Sequence, residues 1–290
     1  MKVNSGIKAF AVIVSIILLI PISINWFDFL KRNFSDTSLK YTVLTDSNTT
    51  FMLLFDSTVA IDTCHLSETK KISIPEKVCI RGKEYTVTAI GEFAFERCSD
   101  LTNIEIPESV TSIGRSAFED CSSLRNIKIP KSVTYIGRSA FEHCSSLKNI
   151  VIPESVTSIE ESAFQRCYNL TNIEIPESVD SIGKSAFENC SYLTNIEIPS
   201  GVTSIGKSAF KGCYSLTNIE IPSGVTSIEE SAFQGCFRLT NIKIPKSVTY
   251  IGESAFYGCN NLNVVIDNSK DDVVVGEDAF RGCKSVRFTK

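Results

Sequence analysis

Residues 101–123 read LTNIEIPESVTSIGRSAFEDCSS, and residues 124–146 read LRNIKIPKSVTYIGRSAFEHCSS. The spacing decides the fold. Leucine returns every 23 residues at Leu101, Leu124, Leu147, Leu170, Leu193, Leu216 and Leu239, with proline six positions after each, from Pro107 to Pro245. An Ala-Phe pair keeps the same period from Ala117-Phe118 to Ala255-Phe256. A fixed period of this length marks a stacked repeat, in which each unit buries its apolar side chains only against its neighbours.

Within one copy, L-x-x-I-x-I alternates apolar and polar residues, as a strand with one buried face requires. Ile104 and Ile106 then point inward, and Asn103 and Glu105 outward. Pro107 has no N–H for a ladder and ends the strand. Val110, Ile113, Ala117, Phe118 and Cys121 supply further inward anchors, with a very short strand predicted near 111–113 and a helical or 3₁₀ turn at 116–120. Glycine at the fourteenth position, Gly114 in the first copy, gives way to Glu160 and Glu229 in two others. A site that accepts glutamate does not require left-handed backbone, so a positive φ is not expected there.

The N-terminus differs in kind. Residues 9–27, AFAVIVSIILLIPISINWF, carry no charge, and as a helix rising about 1.5 Å per residue they would cross most of a ~30 Å hydrocarbon core. A transmembrane signal-anchor is expected over 9–27, with a cleaved signal peptide as the alternative, although no A-x-A-like cleavage site stands near Ser23 or Asn25. Lys2 and Lys8 balance Lys31, Arg32 and Lys40, so flanking charge does not orient it. The expected organisation is a short tail at 1–8, the anchor at 9–27, and a juxtamembrane linker at 28–40. An N-terminal cap with β-hairpins and a degenerate first repeat follows at 41–100, then seven repeats at 101–261 and a degenerate capping repeat at 262–290. In that last unit Asp267 and Asn268 stand where isoleucine and proline would be.

Composition narrows the partners. The 290 residues have a net charge of -4, which gives no broad basic field to hold a phosphate backbone, so no nucleic acid is expected. Eleven cysteines suggest disulfides or metal, but eight of them, from Cys98 to Cys259, keep the 23-residue period. Each would occupy the same inward position, where parallel thiols lack disulfide geometry and act as small hydrophobes. Cys64 and Cys79 lie off this ladder and are candidates for a cap disulfide. No C-x-x-C or Cys/His cluster occurs, so no metal is expected. The two histidines, His65 and His143, do not recur, and His143 falls at a turn position. No G-x-S-x-G, P-loop or G-x-G-x-x-G is present; catalytic residues, cofactors and enzymatic activity are not expected.

The outward strand face remains. An asparagine ladder from Asn103 to Asn241 runs beside Glu105, Lys128, Val151, Glu174, Glu197, Glu220 and Lys243. Glu174, Glu197 and Glu220 would stack about 4.8 Å apart, a repulsion that folding does not require. Tyr168, Tyr192, Tyr214 and Phe237 add aromatic residues in consecutive copies where others carry serine pairs, and aromatics are enriched in interface cores. These seven residues are the candidate partner-binding face.

The pattern L-x-x-I-x-I-P-x-x-V-x-x-I-x-x-x-A-F-x-x-C resembles the leucine-rich repeat of the BspA-like class, without gaps over 101–261 and with degenerate ends over 70–290. The resemblance implies a mainly β leucine-rich-repeat solenoid of parallel sheet, short strands and 3₁₀ or helical turns, with an N-terminal transmembrane or signal helix. It also implies a membrane-tethered cell-surface protein that binds macromolecules, with host extracellular matrix glycoproteins such as fibronectin or fibrinogen as candidate partners in adhesion. The alternative is an intracellular or periplasmic repeat scaffold for protein–protein interaction.

Overall fold

The computed structural model describes residues 40–42, 49–55, 58–64, 70–80 and 82–290. The tail, the anchor expected over 9–27 and the linker as far as residue 39 lie outside the described residues. Among the described residues no helix is long and apolar enough to cross a membrane.

From residue 70 onward the chain winds into a mainly β solenoid of about nine turns. A 23-residue period places each residue over its counterpart, so the coils pair in parallel and like meets like. On one face Asn103–Glu105, Asn126–Lys128, Asn149–Val151 and Asn172–Glu174 form a ladder, with Asn103 opposite Asn126 and Asn149 opposite Asn172. A second face is built from two-residue strands, among them Ser112–Ile113, Ser181–Ile182 and Tyr250–Ile251. The alternation works as the sequence requires: Ile104, Ile150 and Ile242 are buried, while Glu105, Val151 and Lys243 are exposed.

Between the faces lies a core of columns. Phe95, Phe118, Phe141, Phe164, Phe187, Phe210, Phe233 and Phe256 are all fully buried and stack with centroids 5.1 to 5.6 Å apart. Beside them each ladder thiol from Cys121 to Cys259 donates to the phenylalanine carbonyl of the preceding coil, as Cys190 does to Phe164 at 3.2 Å and Cys144 to Phe118 at 3.1 Å. Cys79, Cys98 and the cysteines from Cys121 to Cys283 are free. Each buried Leu, Ile or Phe contributes roughly 1.5–3 kcal/mol relative to exposure, and only stacking makes that burial available.

The segment from Ser116 to Asp120 is a chain of turns, not the helical or 3₁₀ turn expected. Ser116 and Asp120 hold φ of 51° and 60°, and left-handed residues cannot continue a right-handed helix. The amides instead alternate in direction. Ala117, Glu119 and Cys121 donate within the turn to Gly114, Ser116 and Phe118, while Ser116, Phe118 and Asp120 donate to Arg138, Ala140 and Glu142 of the next coil. The turn thus adds its own line of inter-coil bonds. His143 and Arg166 hold the same positive φ at the position of Asp120 in the next two coils, and Asn189, Gly212, Gly235 and Gly258, which tolerate it best, take that position in the later ones.

The glycines at the fourteenth position have no positive φ; close approach explains them. A Cβ on Gly137 would meet the amide nitrogen of Arg115 and the carbonyl carbon of Gly114 at 2.7 Å. Glu160 and Glu229 stand there only above glycine, Gly137 and Gly206. The second face is interrupted between Tyr135–Ile136 and Ser158–Ile159, immediately before Glu160. At Glu229 the ladder continues, with its amide bonded to Ile205 at 3.0 Å.

At the N-terminal end, β1 (Lys40–Thr42), β2 (Thr49–Phe55) and β3 (Thr58–Cys64) form an antiparallel meander. The strand β4 (Lys71–Ser73) opens the first face by pairing with Asn103–Glu105. The hairpin of β5 (Lys77–Ile80) and β6 (Lys83–Ile90) turns at Gly82, where φ is 79°, and β6 pairs in parallel with β3. The Cys64–Cys79 disulfide suggested by the sequence is not formed, since Cys79 is a free, exposed thiol. Register explains this: Cys79 pairs with Glu84, before the stretch of β6 that meets β3, whereas Cys64 lies beyond Ile61, the partner of Ile90. On strands rising about 3.3 Å per residue the two are more than ~20 Å apart along the sheet.

In the final coil the structure corrects one alignment. Asn263 pairs with Asn241 and Ile266 with Ile244, so one residue is missing between Leu262 and its strand. The isoleucine site is filled by Ile266, and Asp267 takes the proline site. There its amide donates to Ile244 at 2.9 Å, a bond that proline cannot make. A one-residue slip without this deletion would turn the apolar side chains outward.

Candidate partner-binding face

The residues of this face come from two strips of each coil: the last two positions, which enter the strand, and the strand itself. Leu170, Leu193 and Leu216 are fully buried between them and fix the side on which the flanking residues emerge. Glu174, Glu197 and Glu220 are exposed, as are Tyr168, Tyr192, Tyr214 and Phe237. None of these residues stabilises the core by burial.

The aromatic residues do not form one row. Tyr168, Tyr214 and Phe237 share a coil position, whereas Tyr192 stands one place later, with Ser191 in theirs. Tyr214 and Phe237 stack with centroids 5.2 Å apart and planes 5° from parallel, and they lie against Gly235, whose added Cβ would be 3.8 Å from both rings. Tyr168 instead tilts against His143 at 6.1 Å. Tyr192 is the most exposed, at 59%, and its amide donates to the Tyr168 carbonyl at 3.1 Å.

The strand face is open where the glutamates stack. The ladder that begins at β4 ends at Asn172–Glu174, and another begins at Asn241–Ile244; between them only Asn195 and Asn218 form a bridge. The two coils lacking this strand carry Glu197 and Glu220, and both also follow their proline with Ser-Gly, at 200–201 and 223–224. Where Glu105 meets Lys128, or Val151 meets Glu174, the ladder closes.

Two features were not singled out from the sequence. Val151, 58% exposed, continues the strip next to Glu174. His143 is more than a solvated turn residue: Arg166 donates to its Nε2 at 3.3 Å, and its Nδ1 donates to Asp120 at 2.8 Å. The 23-residue spacing of Asp120, His143 and Arg166 was the available signal. Among the described residues no group of His, Cys, Asp and Glu could hold a metal ion. Burial pushes the ladder thiols well up from their ordinary value, so they are protonated, poor nucleophiles.

Parallel coils closed by leucine, isoleucine, phenylalanine and cysteine columns define a leucine-rich-repeat solenoid. The chain belongs to the family described as BspA type leucine rich repeat region, whose model matches six copies over residues 82–193 and 157–287. A leucine-rich repeat protein from Bacteroides ovatus superposes with a TM-score of 0.75 at 31% identity, covering 86% of this chain and 71% of that one. A leucine rich cell surface protein from Faecalibacterium prausnitzii is 26% identical over 88% of this chain and 96% of its own, with a TM-score of 0.39. A T. pallidum leucine rich repeat protein is 26% identical over 71% of this chain and 84% of its own, with a TM-score of 0.47. The search of curated proteins finds no relative of this chain.

Proposed function

We propose that this chain is a non-enzymatic binding protein whose solenoid holds a partner protein on the face of Tyr168, Tyr192, Tyr214, Phe237, Glu174, Glu197 and Glu220. One observation carries the reading: Tyr214 and Phe237 are 44% and 47% exposed side by side, on a face where Glu174, Glu197 and Glu220 are exposed at one position of successive coils, in a fold whose core needs none of them. Exposed contiguous aromatics rimmed by polar residues mark interaction surfaces.

By the family resemblance the setting is the cell surface, with residues 9–27 as tether, and the partners are proteins of an adhesive contact such as fibronectin or fibrinogen. The test replaces Tyr192, Tyr214 and Phe237 with serine in the full chain and measures capture by immobilised fibronectin and fibrinogen. Loss of at least ~tenfold in affinity supports the reading, since buried aromatic anchors dominate interface energies; unchanged affinity for a ligand that the unaltered chain binds overturns it. Protease added to intact cells separates a surface protein, whose repeats are removed, from an intracellular or periplasmic scaffold, whose repeats survive.

A further inference from the structure

The face just described has the regular pitch of the coils and two chemically distinct borders, and together they select a partner's secondary structure. Successive coils are spaced 5.1 to 5.6 Å along the phenylalanine stack. An α-helix repeats every ~5.4 Å, whereas an extended strand presents one face every ~6.6–6.8 Å. Over the two steps from Glu174 to Glu220, whether the pitch is that of the phenylalanine stack or the ~4.8 Å of neighbouring strands, a strand drifts out of register by roughly 2–4 Å, while a helix stays within about 1 Å.

The width of the face agrees. Between the aromatic border and the carboxylate border lie only uncharged polar residues, Thr194 and Asn195 in one coil and Thr217 and Asn218 in the next. Tyr192 and Glu197 are five positions apart, at most ~17 Å of extended chain. A helix with its side chains is ~10–12 Å across, so one lying over the Thr-Asn strip reaches both borders. The charge pattern gives the third constraint. Glu174, Glu197 and Glu220 are successive, whereas Lys128 and Lys243 occupy the same ladder position beyond them and Val151 intervenes on one side. The acidic border is therefore three coils long, or two helical turns between its outer carboxylates.

Resting on the binding reading above, we propose that the partner element is an amphipathic α-helix lying along the stacking axis. A lysine or arginine at each turn faces Glu174, Glu197 and Glu220, and an apolar stripe packs on Tyr168, Tyr192 and Tyr214, the aromatic residues that enter those same three coil segments. The flat uncharged strip beneath supplies close approach without a desolvation cost for buried charge.

The experiment uses the full chain and three labelled peptides of about 18 residues and equal composition, long enough to hold helix. One carries lysines at i, i+4 and i+7 with leucines on the adjoining face. One carries the same residues at the i, i+2, i+4 spacing of a strand, and one is scrambled. The helical peptide should bind at least ~tenfold tighter than either other, weaken as salt is raised, and lose that preference in Glu197→Gln/Glu220→Gln. Glu105→Gln, outside the strip, should change nothing. Equal binding of the helical and strand-period peptides, both sensitive to the double variant, overturns the helix while leaving the face as a binding site. Binding of none overturns the helix, and the immobilised-protein assay, which assumes no partner conformation, then judges the face separately.

Discussion

Tyr214 and Phe237 stack with centroids 5.2 Å apart and planes 5° from parallel, almost the geometry of Phe210 and Phe233, at 5.3 Å and 7°. Coil spacing dictates both. The difference is burial, since the second pair has no exposure and the first is nearly half exposed. Energetics should follow burial. Phe233→Ala should cost about 3–5 kcal/mol in denaturant unfolding, because the stack leaves a cavity that neighbouring coils cannot fill. Phe237→Ser should stay within about 1 kcal/mol. A comparable loss at both positions would show that the outer rings are core.

The carboxylate strip should be a cost to folding. Glu197 has Glu174 and Glu220 at its own ladder position in the coils on either side, and its own coil and that of Glu220 have lost the first-face strand. Glu197→Lys should therefore stabilise the chain by about 0.2–1 kcal/mol, the size of a cross-strand charge pair, and the gain should shrink as salt screens it. If the Ser-Gly pairs after the prolines open the sheet instead, the midpoint of unfolding will not move with this substitution.

Much of this was legible because a repeat states its constraints several times. Leu101, Ile104, Phe118 and Cys121 recur in place, so their shared burial and the columns they form follow from period alone. What did not follow was backbone direction. Serine at position 116 and its counterparts gave no sign of positive φ, since serine is not a residue that requires it, and the turn was expected to be helical or 3₁₀. Single departures from the period were the other difficulty. The missing residue after Leu262 is invisible until Ile266 is seen against Ile244, and the offset of Tyr192 from its neighbours was passed over in grouping the aromatics. The face itself was nameable from the sequence, but the break in the strand ladder beneath it depends on inter-coil bonding, which no single coil encodes.

Alkali should unfold the chain through its thiols. Burial, the largest cause, pushes Cys259 up to about 12, whereas an unfolded thiol ionises near ~8.5. A group raised in the folded state contributes its full stability below the unfolded value and loses it as pH climbs toward the folded one. Between ~8.5 and 12 each such thiol then costs up to ~1.4 kcal/mol per pH unit. Urea midpoints measured from pH 7 to 10.5 should fall steeply above the lower bound, and Cys259→Ala should flatten the slope by one thiol's share. A midpoint independent of pH in this window would mean that the thiols ionise as readily in the coils as in the unfolded chain.

Gly252 and Gly201 offer a matched pair, because neither has a positive φ and only one is crowded. A Cβ on Gly252 would lie 2.4 Å from the Glu230 amide nitrogen and 2.7 Å from the Glu229 carbonyl carbon. Both are backbone atoms, which cannot rotate away, so Gly252→Ala must separate two coils and should cost about 1–3 kcal/mol, as overpacking does. At Gly201 the nearest atom is the Val179 carbonyl oxygen at 3.6 Å, an ordinary contact. There alanine only narrows the unfolded ensemble, and Gly201→Ala should stabilise by about 0.4–1 kcal/mol. Denaturant unfolding of the two variants should therefore move in opposite directions. A shift of the same sign in both would show that close approach of the coils does not decide what the fourteenth position accepts.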